Sequence, residues 1–88
     1  MELMEICETI KNLMRETGCN LTVGQDINNN FYCHLEDCYI GENGVLNGEC
    51  GRGKTLEDAM KSYLRIIKGR KIVIHPSAKN RREIFIFA

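Results

Sequence analysis

The stretch GECGRGKT, Gly48 to Thr55, satisfies G-x-x-x-x-G-K-[ST], the spacing of a loop that wraps nucleotide phosphates. How it is read decides the fold. A working phosphate loop takes a buried parallel strand running straight into it, a second strand carrying a carboxylate for magnesium, and enough chain for a nucleotide crevice. Here 33 residues follow Thr55, and the β-rich run KIVIH ends in His75 where an aspartate would be wanted. Glu57 and Asp58 fall in the first turn of the helix that Thr55 opens, so an arriving polyphosphate meets like charge at short range. The stretch is therefore expected to be an antiparallel corner, with Gly51 and Gly53 letting the chain turn sharply from strand into helix. No nucleotide hydrolase is expected.

Outward from this corner the pattern is regular. Downstream, Leu56, Ala59, Met60, Tyr63, Leu64 and Ile67 make the apolar stripe of a helix, which Gly69 closes. Thr55 and Asp58 fit its capping box. KIVIH, the turn PSAKNRR and EIFIF then read as a closing hairpin. Upstream, FYCHLE alternates a buried face (Phe31, Cys33, Leu35) with a wet one (Tyr32, His34, Glu36). GENG, Gly41 to Gly44, is a hairpin turn into a third strand around Val45 to Cys50. NLTVGQ precedes a dense Asn/Asp turn and makes the first strand. Before it, Leu3, Ile6, Cys7, Ile10, Leu13 and Met14 stripe an amphipathic helix that Gly18 caps. Acids early and Lys11 and Arg15 late match its dipole. The expected architecture is α+β, one compact domain over residues 1–88 in the order α-β-β-β-α-β-β, with two helices on one face of an antiparallel sheet.

Composition bounds the rest. At 43% hydrophobic and 27% charged the chain reads as globular. No apolar run approaches the roughly 18 to 20 residues of a membrane span, and the acidic start MELMEICETI is not a secretory signal. Five cysteines, an odd count without an export signal, read as reduced thiols in a cytosol. Cys33, His34, Cys38 and Cys50 are the candidates for a zinc site. The C-x4-C spacing would put Cys33 and Cys38 on opposite faces of an extended strand, so small buried apolar cysteines are expected instead, with no metal or cofactor. Net charge is zero, yet residues 1–50 hold nine acids against two bases, and residues 51–88 ten bases against three acids. That split fits a basic face for an anionic partner, self-association through opposite faces, or neutralisation within the fold.

Two resemblances follow from these residues. GRGKTLEDA, a G-x-G-x-T run with an alanine four residues on, resembles the junction of strand and second helix in double-stranded RNA-binding domains and in the HicB-like antitoxin fold. GRGKTLEDAMKSYLRIIKGRKIVI and NRREIFIF resemble small uncharacterised bacteriophage and prophage proteins that carry G-x-G-x-T-x-E-x-A, I-x-G-K and N-R-x-E-I, over roughly residues 45 to 88. The second resemblance implies a phage setting and host cytoplasm.

No Ser/His/Asp, paired-carboxylate or Cys/His arrangement stands out at interpretable spacing, so a binding role is expected rather than an enzyme. The leading expectation is a phage accessory factor, of anti-defence or anti-CRISPR type, that inhibits a host protein by occlusion. A narrower form sequesters a signalling nucleotide, with phosphate donors from Arg52, Lys54, Lys71, Lys79, Arg81 and Arg82 and with Asn80 at a base edge. The alternative is a nucleic-acid binder that uses Lys61, Arg65 and Lys68 on the polar face of the second helix together with KNRR, Lys79 to Arg82.

Overall fold

A computed structural model describes residues 2–86. In chain order they form α1 (Leu3–Thr17), β1 (Leu21–Gln25), β2 (Phe31–Leu35), β3 (Cys38–Glu42), β4 (Val45–Asn47), β5 (Gly51–Gly53), α2 (Leu56–Ile67), β6 (Lys71–Ile74) and β7 (Arg82–Phe85). The class is α+β with antiparallel pairing, as the patterning predicts. Two more strands separate the helices than were read from the sequence. The strands also divide into two sheets, ordered β1-β2-β5 and β4-β3-β6-β7.

The division has one local cause. β2 and β3 are the two arms of a single bent segment, broken at Glu36–Asp37, where Asp37 takes a left-handed backbone (φ 55°). An aspartate tolerates that region because its short polar side chain lowers the steric cost. Asn43 (φ 52°) and Gly44 (φ 78°) then turn the chain back, and β4 and β5 return along β3 and β2. β1 and β6 lie on the opposite side of the segment, one beside each arm, with β7 outside β6. Their adjoining ends meet at the bend: the Glu36 N–H donates to the Asn20 carbonyl, and the His75 N–H to that of Asp37 (3.0 Å).

The bend also resets the alternation. Cys33 and Leu35 are buried on β2, and Cys38 and Ile40 on β3, so both arms feed the same core. The reasoning that Cys33 and Cys38 face apart holds for an unbroken strand and fails at this corner. Ile6, Ile10 and Leu13 of α1 and Ala59, Met60, Tyr63 and Ile67 of α2 complete the core with Ile72 and Ile74 of β6. Leu3 and Leu56, expected in the apolar stripes, lie at the exposed helix starts.

Gly51 and Gly53 do a different job from the one expected. They are strand residues, in register with Cys33 and Phe31 of β2, and neither has a positive φ. A Cβ on Gly51 would collide with the Ala59 carbonyl and the Tyr63 backbone, and one on Gly53 would come within 2.8 Å of the Ala59 nitrogen. The glycines let α2 lie directly on the strand. The sharp turn follows them, at Lys54 and Thr55, where the Thr55 hydroxyl accepts from the Asp58 N–H (3.1 Å) and caps α2. The segment that matches the phosphate-loop pattern thus pairs antiparallel with β2 and ends in a hydroxyl committed to its own helix.

Candidate functional site

Two places gather polar chemistry. The larger is a groove of about 520 Å³ between α1, α2 and β7. Its floor is apolar: Leu13 from α1, Leu64 from α2 and Ile86 just past β7. Lys61, Arg65 and Lys68, spaced four and three residues apart along α2, line one bank. Thr9, Asn12 and Glu16 of α1 line the other. The Thr9 hydroxyl donates to the Glu5 carbonyl (2.8 Å), and the Asn12 amide oxygen accepts from Arg15 (3.1 Å), so both are tied to their own helix. Among the described residues none of the three cations forms an ion pair. Among the described residues Glu16 supplies the one acid side chain of the lining, leaving an excess of positive charge there above an apolar base.

The remaining basic residues named from the sequence are dispersed. Lys71 and Arg81 both pair with Glu83 of β7 (3.7 and 3.3 Å). The Arg82 guanidinium donates to the Glu16 carbonyl and so secures the last turn of α1 to β7. Arg52 lies over the Tyr32 ring, 5.7 Å from its centroid. Lys54, Lys79 and Asn80 are exposed in loops. The opposite charges of the two halves meet in the pair Arg70–Glu49 (3.3 Å).

The tyrosines are already engaged. Tyr63 is buried, and its hydroxyl oxygen accepts from the Leu35 N–H (3.2 Å). Burial pushes its phenol up to about 12. Tyr32 sits against Gly24 beneath Arg52, and the Tyr39 ring lies beside Gly48, within 3.3 Å of where a Cβ would stand.

The second place escaped sequence reasoning. Cys19, just before β1, and His75, just after β6, meet at the bend. The Cys19 Sγ lies 3.8 Å from His75 Nε2, and His75 Nδ1 lies 2.8 Å from the Asp37 carboxylate. A carboxylate only accepts, so Nδ1 carries the hydrogen, and in the tautomer with its single hydrogen there Nε2 presents a lone pair to the thiol. Thr17 fixes the sulfur's approach: its buried hydroxyl donates to the Leu13 carbonyl (2.7 Å) and accepts from the Cys19 N–H (3.2 Å). His75, like Asp37, has a left-handed backbone (φ 52°). A cleft of about 240 Å³, bordered by Gly18, Asn20 and Glu36, opens onto this trio. Cys19 and Asp37 lie 56 and 38 positions from His75 along the chain, and the pairing of β1 with β2 and of β6 with β3, on the same side of the bent segment, brings the three together.

Of the zinc candidates, Cys33 and Cys38 are buried in the core, Cys50 is half-buried and His34 turns Nδ1 to the Leu35 carbonyl (3.0 Å). Burial, with a smaller contribution from Cys50, pushes the Cys33 thiol up to about 11. Among the described residues no three His, Cys, Asp or Glu side chains converge in a way that would hold a metal ion. No described helix is long and apolar enough to cross a membrane. No protein family, curated protein or solved structure matches this chain.

Proposed function

We propose that this chain is a binding protein whose groove between α1 and α2 takes an acidic, amphipathic segment of a partner protein. One observation carries the reading: Lys61, Arg65 and Lys68 stand above Leu13, Leu64 and Ile86 with no ion-pair partner among the described residues. An occupant with carboxylates on one side and apolar side chains on the other would satisfy both surfaces. The resemblance of residues 45–88 to small bacteriophage proteins supports the wider form of the proposal. In that setting the partner is a host protein, inhibited by occlusion in the host cytoplasm.

A nucleic-acid partner would draw on the same cations, but single-strand binders also use open aromatic faces for stacking. Tyr32, Tyr39 and Tyr63 are each packed against the fold itself, and Phe85 is the aromatic residue that lines the groove, so the acid-and-apolar complementarity of the groove rather than its aromatic content is what favours the protein partner.

Amide chemical-shift mapping separates the readings. A synthetic acidic amphipathic peptide is expected to shift Leu13, Leu64 and Ile86. Arg65→Glu should weaken it about tenfold or more, because like charges oppose each other across an interface. A peptide of equal charge without apolar residues should bind far less. Tighter binding of duplex or single-stranded oligonucleotides, falling steeply with salt, would overturn the proposal, as would an acidic peptide that leaves the groove unshifted.

A further inference from the structure

We propose that Cys19 is a peroxide-reactive thiol, deprotonated by His75 and resolved by Cys38 as an intramolecular disulfide. The observations are independent of the groove. His75 Nε2 faces the Cys19 sulfur at 3.8 Å, and Asp37 holds the ring from behind at 2.8 Å. On its other side the Cys19 thiol donates to the Thr17 carbonyl (3.6 Å), and the Cys38 thiol lies near enough to interact with it. Two sulfurs and a base therefore converge from the end of α1, the start of β3 and the end of β6. Cys19 is 5% exposed at the cleft, which admits a water-sized oxidant and screens out bulky ones.

Two other chemistries fit less well. Acyl transfer would need donors for an oxyanion, and the Cys19 N–H is already given to Thr17 Oγ1. The other neighbouring thiols, Cys33 and Cys50, form no hydrogen bond to an imidazole among the described residues, and Cys33 is fully buried. Among the described residues Cys19 is the thiol with an imidazole in contact.

The step balances with hydrogen peroxide as the oxidant. The Cys19 proton passes to His75 Nε2, and the thiolate attacks one peroxide oxygen. The O–O bond breaks, and the departing hydroxide takes the proton back from the imidazolium as water, leaving Cys19 as a sulfenic acid. The Cys38 sulfur then attacks Cys19 Sγ, the S–O bond breaks, and the hydroxyl leaves as water with the Cys38 proton. Two thiols lose two electrons, and one peroxide becomes two waters. Burial, then the neighbouring Cys19, pushes the Cys38 thiol up to about 12, and Cys19 is the thiol with an imidazole beside it, so Cys19 attacks first.

The test treats the full chain with hydrogen peroxide near neutral pH and follows the product by intact mass and non-reducing peptide mapping. A loss of two hydrogens with a Cys19–Cys38 cross-link is expected. Cys38→Ser should stop at a sulfenic acid on Cys19 that a cyclic dione traps, and Cys19→Ser should leave Cys38 unoxidised. His75→Asn, which suits a left-handed backbone, should slow Cys19 oxidation about tenfold or more, with thermal melting confirming that each variant is folded. A first cross-link between Cys33 and Cys50, oxidation of Cys38 without Cys19, or an unchanged rate in folded His75→Asn would overturn the proposal.

Discussion

The two flanks of α2 are built on opposite principles. On one flank Ala59 and Tyr63 rest on Gly51 with no side chain between helix and strand. On the other, Lys61, Arg65 and Lys68 face α1 across a groove of about 520 Å³. The closed flank is set by what the sequence leaves out, since a single Cβ at Gly51 has nowhere to go. The open flank is set by charge, because three cations without ion-pair partners among the described residues do not draw the helices together. One helix thus serves as a rigid brace and as the wall of a binding surface. The brace is what allows the wall to stay open.

The sharpest way to break the contrast is at the brace. Gly51→Ala should cost roughly 3 kcal/mol or more in chemical denaturation, because the clash is with backbone rather than with a flexible side chain. Gly44→Ala, at a left-handed turn with open space around it, should cost only about 1 kcal/mol. Near-equal losses would mean that α2 does not depend on the glycine strand.

Alkali should act next, and on the closed flank. Cys33 is pushed up to about 11, and Cys38 and Tyr63 up to about 12, mainly by burial. Each is held neutral in the fold, while in the unfolded chain the thiols ionise near 9 and the phenol near 10. Their stabilising contribution is complete below about pH 9 and is lost as pH rises toward 12. Melting temperature should therefore hold steady from neutral pH to about 9 and then fall, and Cys33→Ala should flatten the fall. A melting temperature independent of pH in that range would contradict the burial of these groups.

The smallest effect belongs to the open flank. Replacing Lys61, Arg65 or Lys68 with alanine should move stability by no more than about 0.5 kcal/mol each, measured by the same denaturation. A larger loss would show that these cations hold the fold rather than await an occupant.

What was legible in the sequence was local. The α2 cap at Thr55, the Asn43–Gly44 turn and the Gly18 terminus each rest on neighbouring residues, and each was readable. The spacing of Lys61, Arg65 and Lys68 placed them on one helical face, though nothing in the sequence showed that α1 would form the opposite bank. Gly51 and Gly53 were misread because a turn and a close approach both call for glycine, and only the packed helix tells them apart. The thiol–imidazole pair was invisible for a topological reason. Cys19 and His75 are neighbours because the ends of β1 and β6 meet at the bend between β2 and β3, and no periodicity encodes that meeting.

The bend at Asp37 has a consequence for how the chain finds its alignment. Sliding the β2–β3 segment by one residue past its neighbours would ask Glu36 or Cys38 to take up the left-handed backbone now held by Asp37. The same slip would turn Cys33, Leu35, Cys38 and Ile40 outward together. The corner therefore works as an indexing pin: misaligned pairings forfeit both arms at once, and the correct frame is chosen at a single residue.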